Sequence, residues 1–464
     1  MRRGLLLSLA SLLVFAWALP ARGHDGADST GHATALLPEG RWMSMWMSSA
    51  TPVSENMERV GGDNSFTGSH LVIEGNRMYV GWYGQGMRLY DISDPASPSL
   101  LGSYNPGARA DAVPDATTFI TRSGTRHIAV LNGTRRASSR TAGPVTVEGT
   151  DISEFLDWTD PARPKLLWKF VGPADGEAHN GDISDLRKWW LPSGGTGDNG
   201  LRIYDMRPLV WDNPSAPARL FPPQVCRDSA DVRCDPVTLW AKSPYRGDKP
   251  VGPAFTHTHD ITLYENYPVR IKGKSSKRDI ILLAEGGDYT TENGGAGGTV
   301  FVIDITKPSD PVVLLRWIHE NGPGHETIRY GHEAQFLDGD RSVMLVTDED
   351  LHEGTGCVEP AGGAYAVRLS ADLRSATELS EWFIPTGTPA AVCSVHVFSS
   401  LGNTVFFGSY NAGVQVVDYS DPANPRRVGQ YIAEGATTWV AQYHKGWIYA
   451  GDMSRGLDVF RFTG

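Results

Sequence analysis

The chain has 464 residues, with 42 basic against 53 acidic side chains and a formal net charge of −11 at pH 7. An acidic balance with no basic run excludes a polyanion partner held by phosphate neutralisation, and so excludes nucleic acid. With 52 Gly, 30 Pro and 14 Trp but only 20% charged residues, the composition excludes disorder over the whole length and favours an all-β chain with many turns.

In chain order, residues 1–23 read as a signal peptide. Arg2 and Arg3 precede an apolar run from Leu5 to Leu19, Pro20 follows, and Ala21-Arg22-Gly23 offers a small-x-small cleavage site. That run is too short and wrongly flanked for a membrane span, and no later stretch is apolar enough for one. The expectation is a soluble exported monomer, secreted or periplasmic. Residues 24–40 are expected to be a flexible tail and residues 41–464 one domain.

From Gly68 onward one pattern recurs: a glycine, a short alternating strand ending in Asp, and a proline-rich turn. Gly86-Met-Arg-Leu-Tyr-Asp91 precedes Asp94-Pro95-Ala-Ser-Pro98, and Gly200-Leu-Arg-Ile-Tyr-Asp205 precedes Asn213-Pro214-Ser-Ala-Pro217. Thr299-Val-Phe-Val-Ile-Asp304 and Gly413-Val-Gln-Val-Val-Asp418 lead into similar turns. Asp160-Pro161-Ala-Arg-Pro164 and Gly363-Ala-Tyr-Ala-Val-Arg368 mark weaker copies, and Gly456-Leu-Asp-Val-Phe-Arg461 closes the chain. Seven copies of roughly 57 residues start near residues 68, 111, 178, 257, 330, 392 and 436. The clearest copy divides into strands at 70–73, 78–83, 87–92 and 100–104. A single four-stranded sheet cannot bury both faces, but seven around an axis can, so the predicted fold is a seven-bladed β-propeller. The last copy ends at its third strand. A strand at residues 41–47 (Arg-Trp-Met-Ser-Met-Trp-Met) is predicted to supply the fourth and close the ring.

The strands ending at Asp91, Asp205 and Asp418, each followed by an Asp/Asn-Pro-x-x-Pro turn, resemble the LVIVD repeats of secreted bacterial β-propellers. The resemblance covers most of the chain beyond the leader. It implies export and a propeller, and it supplies no catalytic residues.

In such a fold the innermost strands begin at one mouth of the central channel. Their starts read Ser69-His70-Leu71, Ala178-His179-Asn180, Thr258-His259-Asp260, Gly331-His332-Glu333 and Val395-His396-Val397, with Asp111 and Thr438-Trp439 at the matching places of the other copies. Imidazoles gathered from separate blades suit a transition metal such as copper, iron or zinc. His259, His332 and His396 lead because they come from consecutive copies, with His70 and His179 behind them. Asp260, Glu333, Asp348 and Trp439 are expected to contact a ligand at this mouth. Carboxylates of nearby loops, Glu285 and Asp288 in the fourth copy and Asp348, Glu349 and Asp350 in the fifth, are expected to orient the imidazoles or to add to an acidic field. The competing reading makes each histidine a fastener bonded to the next blade's backbone. Trp82, Tyr83 and Tyr410, near the same mouth, are read as packing between blades or as a stacking surface for a sugar.

The four cysteines are read as two disulfides, Cys226 with Cys234 and Cys357 with Cys393, since no C-x-x-C spacing marks a metal site. The second would pin a long insertion over the histidine-bearing mouth. No nucleophile elbow, P-loop, dinucleotide fingerprint or H-E-x-x-H is present. The expected function is binding of a small ligand or a transition metal at that mouth. The alternatives are a metal-dependent oxidoreductase or lyase using the same histidines, and an extracellular scaffold for a glycan or protein.

Overall fold

The structure, a computed structural model, describes residues 52–106, 113–121, 124–135, 150–171, 180–193, 203–209, 219–220, 257–286, 299–319, 328, 330–350, 357 and 362–464. These residues form seven four-stranded antiparallel blades in a ring, the four strands of blades 1 to 6 running outward in chain order. The innermost strands are Gly68–Glu74, Val113–Thr121, Asn180–Ile183, His257–Ile271, Gly331–Phe336, Phe398–Leu401 and Thr438–His444, belonging to blades 1 to 7. No helix among the described residues is long and apolar enough to cross a membrane.

The strands are apolar on both faces because every blade is covered on both sides. In blade 4, Val300 and Val302 of the third strand face a cluster shared with Met344 and Val346 of blade 5. Phe301 and Ile303 face the other way, onto Trp189 and Leu191 of blade 3. Alternation along a strand therefore feeds two different cores. Similar clusters seal the remaining junctions, including Phe406 and Val416 against Ile448 and Phe460 between blades 6 and 7.

The repeated aspartates set the turns. Asp91 Oδ1 accepts the Ser93 amide at 2.8 Å, and Asp94 Oδ1 accepts the Ala96 amide at 3.1 Å. Asp418 and Asp421 repeat the arrangement with Ser420 (2.8 Å) and Ala423 (3.1 Å). Each is an Asx-type turn that lets the chain reverse ahead of the outer strand.

Ring closure differs from expectation. Residues 41–47 lie outside the described residues. The fourth strand of blade 7 is Met57–Asp63, which pairs with Gly456–Phe462 from Met57 opposite Phe462 to Asp63 opposite Leu457. A bulge between Arg59 and Gly61 interrupts its alternation. Gly61 and Gly62 are required there: a Cβ on either would collide with the backbone oxygens of Ala96 and Leu457, and Gly62 has φ +142°. Just ahead of this strand, Val53–Glu55 adds a fifth, outermost strand to blade 6 through Arg426–Ile432.

Candidate metal centre

The register of the innermost strands places four of the five predicted histidines. Leu71, Ile261, Ala334, Phe398 and Ala441 occupy one repeat position, opposite Val80, Leu283, Val346, Phe407 and Ala450. Two residues before that position stand His259, His332, His396 and Trp439, with Ser69 in blade 1. One residue before it stand Asp260, Glu333, Val397, Val440 and His70. His70 is therefore one residue out of step with the other three histidines, and a one-residue shift sends a side chain to the opposite face. His70 lines the axial channel. His179, Asp111 and Asp288 lie outside the described residues, as do Cys226 and Cys234.

His259, His332 and His396 come together, each fully buried. Their ring centroids follow one another at 4.1 Å and 4.1 Å, forming a row across blades 4, 5 and 6. Tyr330 packs edge-on to His259 at 5.1 Å, and Trp439 packs edge-on to His396 at 4.9 Å, closing the row at both ends. Two carboxyl groups are interleaved. Asp260 lies 3.2 Å from His259 Nδ1 and 3.4 Å from His332 Nδ1. Glu349 lies 3.7 Å from His332 Nε2 and 3.4 Å from His396 Nε2. Potential ligand atoms of His259, Asp260 and His332 all fall within 4.8 Å of one another, and so do those of His332, Glu349 and His396.

The supports of the row are visible. His396 Nδ1 donates to the Trp439 carbonyl at 2.7 Å, which fixes the tautomer and leaves Nε2 facing Glu349. Tyr410, held at φ +44°, donates its hydroxyl to Glu349 and lays its ring 4.8 Å from His396. A bulky residue in the left-handed region is a cost accepted for that aim. Burial pushes the His396 pKa down to about 3, against the opposing pull of the Trp439 hydrogen bond and of Asp260. That ring is neutral over the physiological range, as a metal ligand must be.

Several expected contacts take other parts. Asp348 Oδ1 accepts the Tyr330 amide at 2.7 Å. Trp439 walls the row by its indole and holds it by its carbonyl. Tyr83 packs against Trp439 at 6.0 Å, so these aromatics lie between blades. Glu333 points into the channel, where Oε2 accepts the Phe398 amide at 3.0 Å and Oε1 accepts from Gln335 at 2.5 Å.

The channel encloses a cavity of about 290 Å³, bordered among others by His70, Asp115, Asp182, Asp260 and Glu333. Three of these carboxyl groups fasten neighbouring blades. Asp115 takes the Ile183 amide at 2.7 Å, Asp182 takes the Leu263 amide at 2.7 Å, and Glu333 takes that of Phe398. The fastener role is thus carried mainly by carboxylates, with His396 its histidine example. Burial raises Asp182 to about 7 and lifts Asp115 and Glu333 well above the carboxylate range. Burial lowers His70 to about 4 against the pull of Asp260.

Cys357 and Cys393 form a disulfide across 5.4 Å between Cα atoms. Cys393 lies three residues before His396, and Cys357 follows Glu349 in the same blade. The cross-link thus ties Cys357 to the start of blade 6.

Fold and site together define a seven-bladed β-propeller with a buried imidazole–carboxylate row at one mouth. The chain carries LVIVD repeats at residues 68–106 and 392–433, which are blades 1 and 6. No curated protein matches it. Among solved structures, similar ones include Saccharomyces cerevisiae Sqt1, at TM-score 0.49 and 9% identity over 89% of this chain and 100% of that one. The β-propeller domain of Myceliophthora thermophila Cps50 (Swd1) gives TM-score 0.48 and 10% identity over 87% and 99% of the two chains.

Proposed function

We propose that the protein is an exported, soluble propeller that binds a first-row transition metal ion (copper, iron or zinc) through His259, His332 and His396. Asp260 and Glu349 complete or orient the set. One observation carries the reading: three buried imidazoles from consecutive blades alternate with two buried carboxyl groups. Burying such groups is costly without compensation, and a divalent cation supplies it. Nitrogen donors mixed with carboxylate oxygens suit this class of metal. A leader-like N-terminus and a disulfide accord with an oxidising compartment.

A second reading, a metal-dependent enzyme, draws on the channel. Asp260 touches two of the histidines and also borders the axial cavity, so a small molecule in the cavity lies against the centre's own carboxylate. Metal counting on protein purified without a histidine tag tests the first reading. The expected result is about one equivalent of copper, iron or zinc fewer per chain in a His259→Ala/His332→Ala double variant than in the wild type. A metal-free wild type that takes up none of the three on reconstitution would refute it.

A further inference from the structure

A second cluster lies away from the histidine row, on the outer strands of blades 4 and 5. The outer strand of blade 4, Val312–Ile318, ends at His319, which is 5% exposed. The outer strand of blade 5, Ala376–Trp382, carries Glu378 and Glu381. Residues three apart on a regular strand face opposite ways. Here Tyr365 pairs with Glu381, Ala366 with Ser380 and Val367 with Glu378, so Leu379 is an inserted residue. The bulge returns both glutamates to one face, the face of Tyr365 and Val367. His319 packs on the Tyr365 ring at 4.8 Å, and its Nδ1 lies 3.0 Å from Glu378 Oε2.

We infer that His319, Glu378 and Glu381 form a second divalent-metal site, clipping the outer strands of blades 4 and 5. One potential ligand atom from each falls within 4.8 Å of the other two. Three potential ligands converging from two blades are what a cation uses. One nitrogen and two oxygens suit Zn²⁺, Mn²⁺ or Fe²⁺ rather than a soft monovalent ion. The half-buried glutamates leave room for water to complete the coordination. The site shares no residue with the histidine row and does not depend on it.

The test is zinc binding to full-length, tag-free protein. Each protein is equilibrated with Zn²⁺, freed of excess, and its bound zinc counted for wild type, Glu381→Gln, Glu378→Gln and His332→Ala. The glutamine variants should each hold about one zinc ion fewer per chain than wild type, and His332→Ala should keep this one. Zinc should raise the melting midpoint of wild type more than that of either glutamine variant. Without zinc, Glu381→Gln should melt close to wild type, because the amide keeps the size of the carboxylate and its capacity for hydrogen bonds. Unchanged zinc content in both glutamine variants overturns the inference, as does a wild type whose zinc is wholly abolished by His332→Ala. Zinc loss in Glu381→Gln matched by lower zinc-free stability also overturns it, since that marks a structural role.

Discussion

At one repeat position blades 4, 5 and 6 carry His259, His332 and His396, whereas blades 7 and 1 carry Trp439 and Ser69. All five side chains are buried to within 1% of complete. The propeller thus demands a buried residue there and leaves its chemistry open. Trp439 meets the fold's need with apolar surface, and the three imidazoles meet it at the expense of desolvated polar groups. A stability argument explains the tryptophan. It does not explain three adjacent histidines flanked by Asp260 and Glu349, and metal binding does.

Substitutions at this position should therefore behave differently in the two sectors. The largest effect is expected from His332→Ala, which removes the ring between Asp260 and Glu349. Bound transition metal should disappear from the row, and the metal-free protein should lose about 2–4 kcal/mol in a denaturant titration. Retained metal at full occupancy would place the ligands elsewhere. Trp439→Phe should cost about 1–3 kcal/mol by opening space beside His396, yet keep the metal. Metal loss there would erase the distinction between sectors. Tyr410→Phe removes the donor to Glu349. It should cost about 1–2 kcal/mol and weaken metal affinity without abolishing it, as read by competition with a chelator.

The smallest effect concerns the channel. Asp182 has a folded-state pKa of about 7 against an ordinary 3.8, because burial disfavours its charge. Its unfolded form ionises first as pH rises, so stability linked to this group is complete below the ordinary value and is lost by about pH 7. Asp182→Asn keeps the acceptor for the Leu263 amide and should flatten that decline. Urea midpoints measured across this range check it, and an unchanged slope would assign the decline to other groups.

Blade number and the Cys357–Cys393 link were legible in the sequence, the first because Asp-Pro turns recur and the strands between them alternate. The closing strand was not. Residues 41–47 have the apolar and aromatic side chains of a strand, while Met57–Asp63 disguises itself with charges and two glycines that exist to let neighbouring backbones approach. The histidine row was legible in three members. His70 resembled a fourth, although it stands one residue further along the same bulged strand start, at the position of Asp260 and Glu333. Choosing Glu349 over Asp348 required the turn at the end of the second strand of blade 5. The pairing of His319 with Glu378 and Glu381 joins outer strands about 60 residues apart through a bulge, which no local spacing reveals.

X-ray absorption at the edge of the bound metal tests the central claim most directly. A first shell of nitrogen and oxygen at about 2.0–2.2 Å, with outer-shell scattering from two or three imidazoles, is the predicted spectrum. A shell of oxygen alone, a sulfur shell, or imidazole scattering undiminished in His259→Ala/His332→Ala would contradict it.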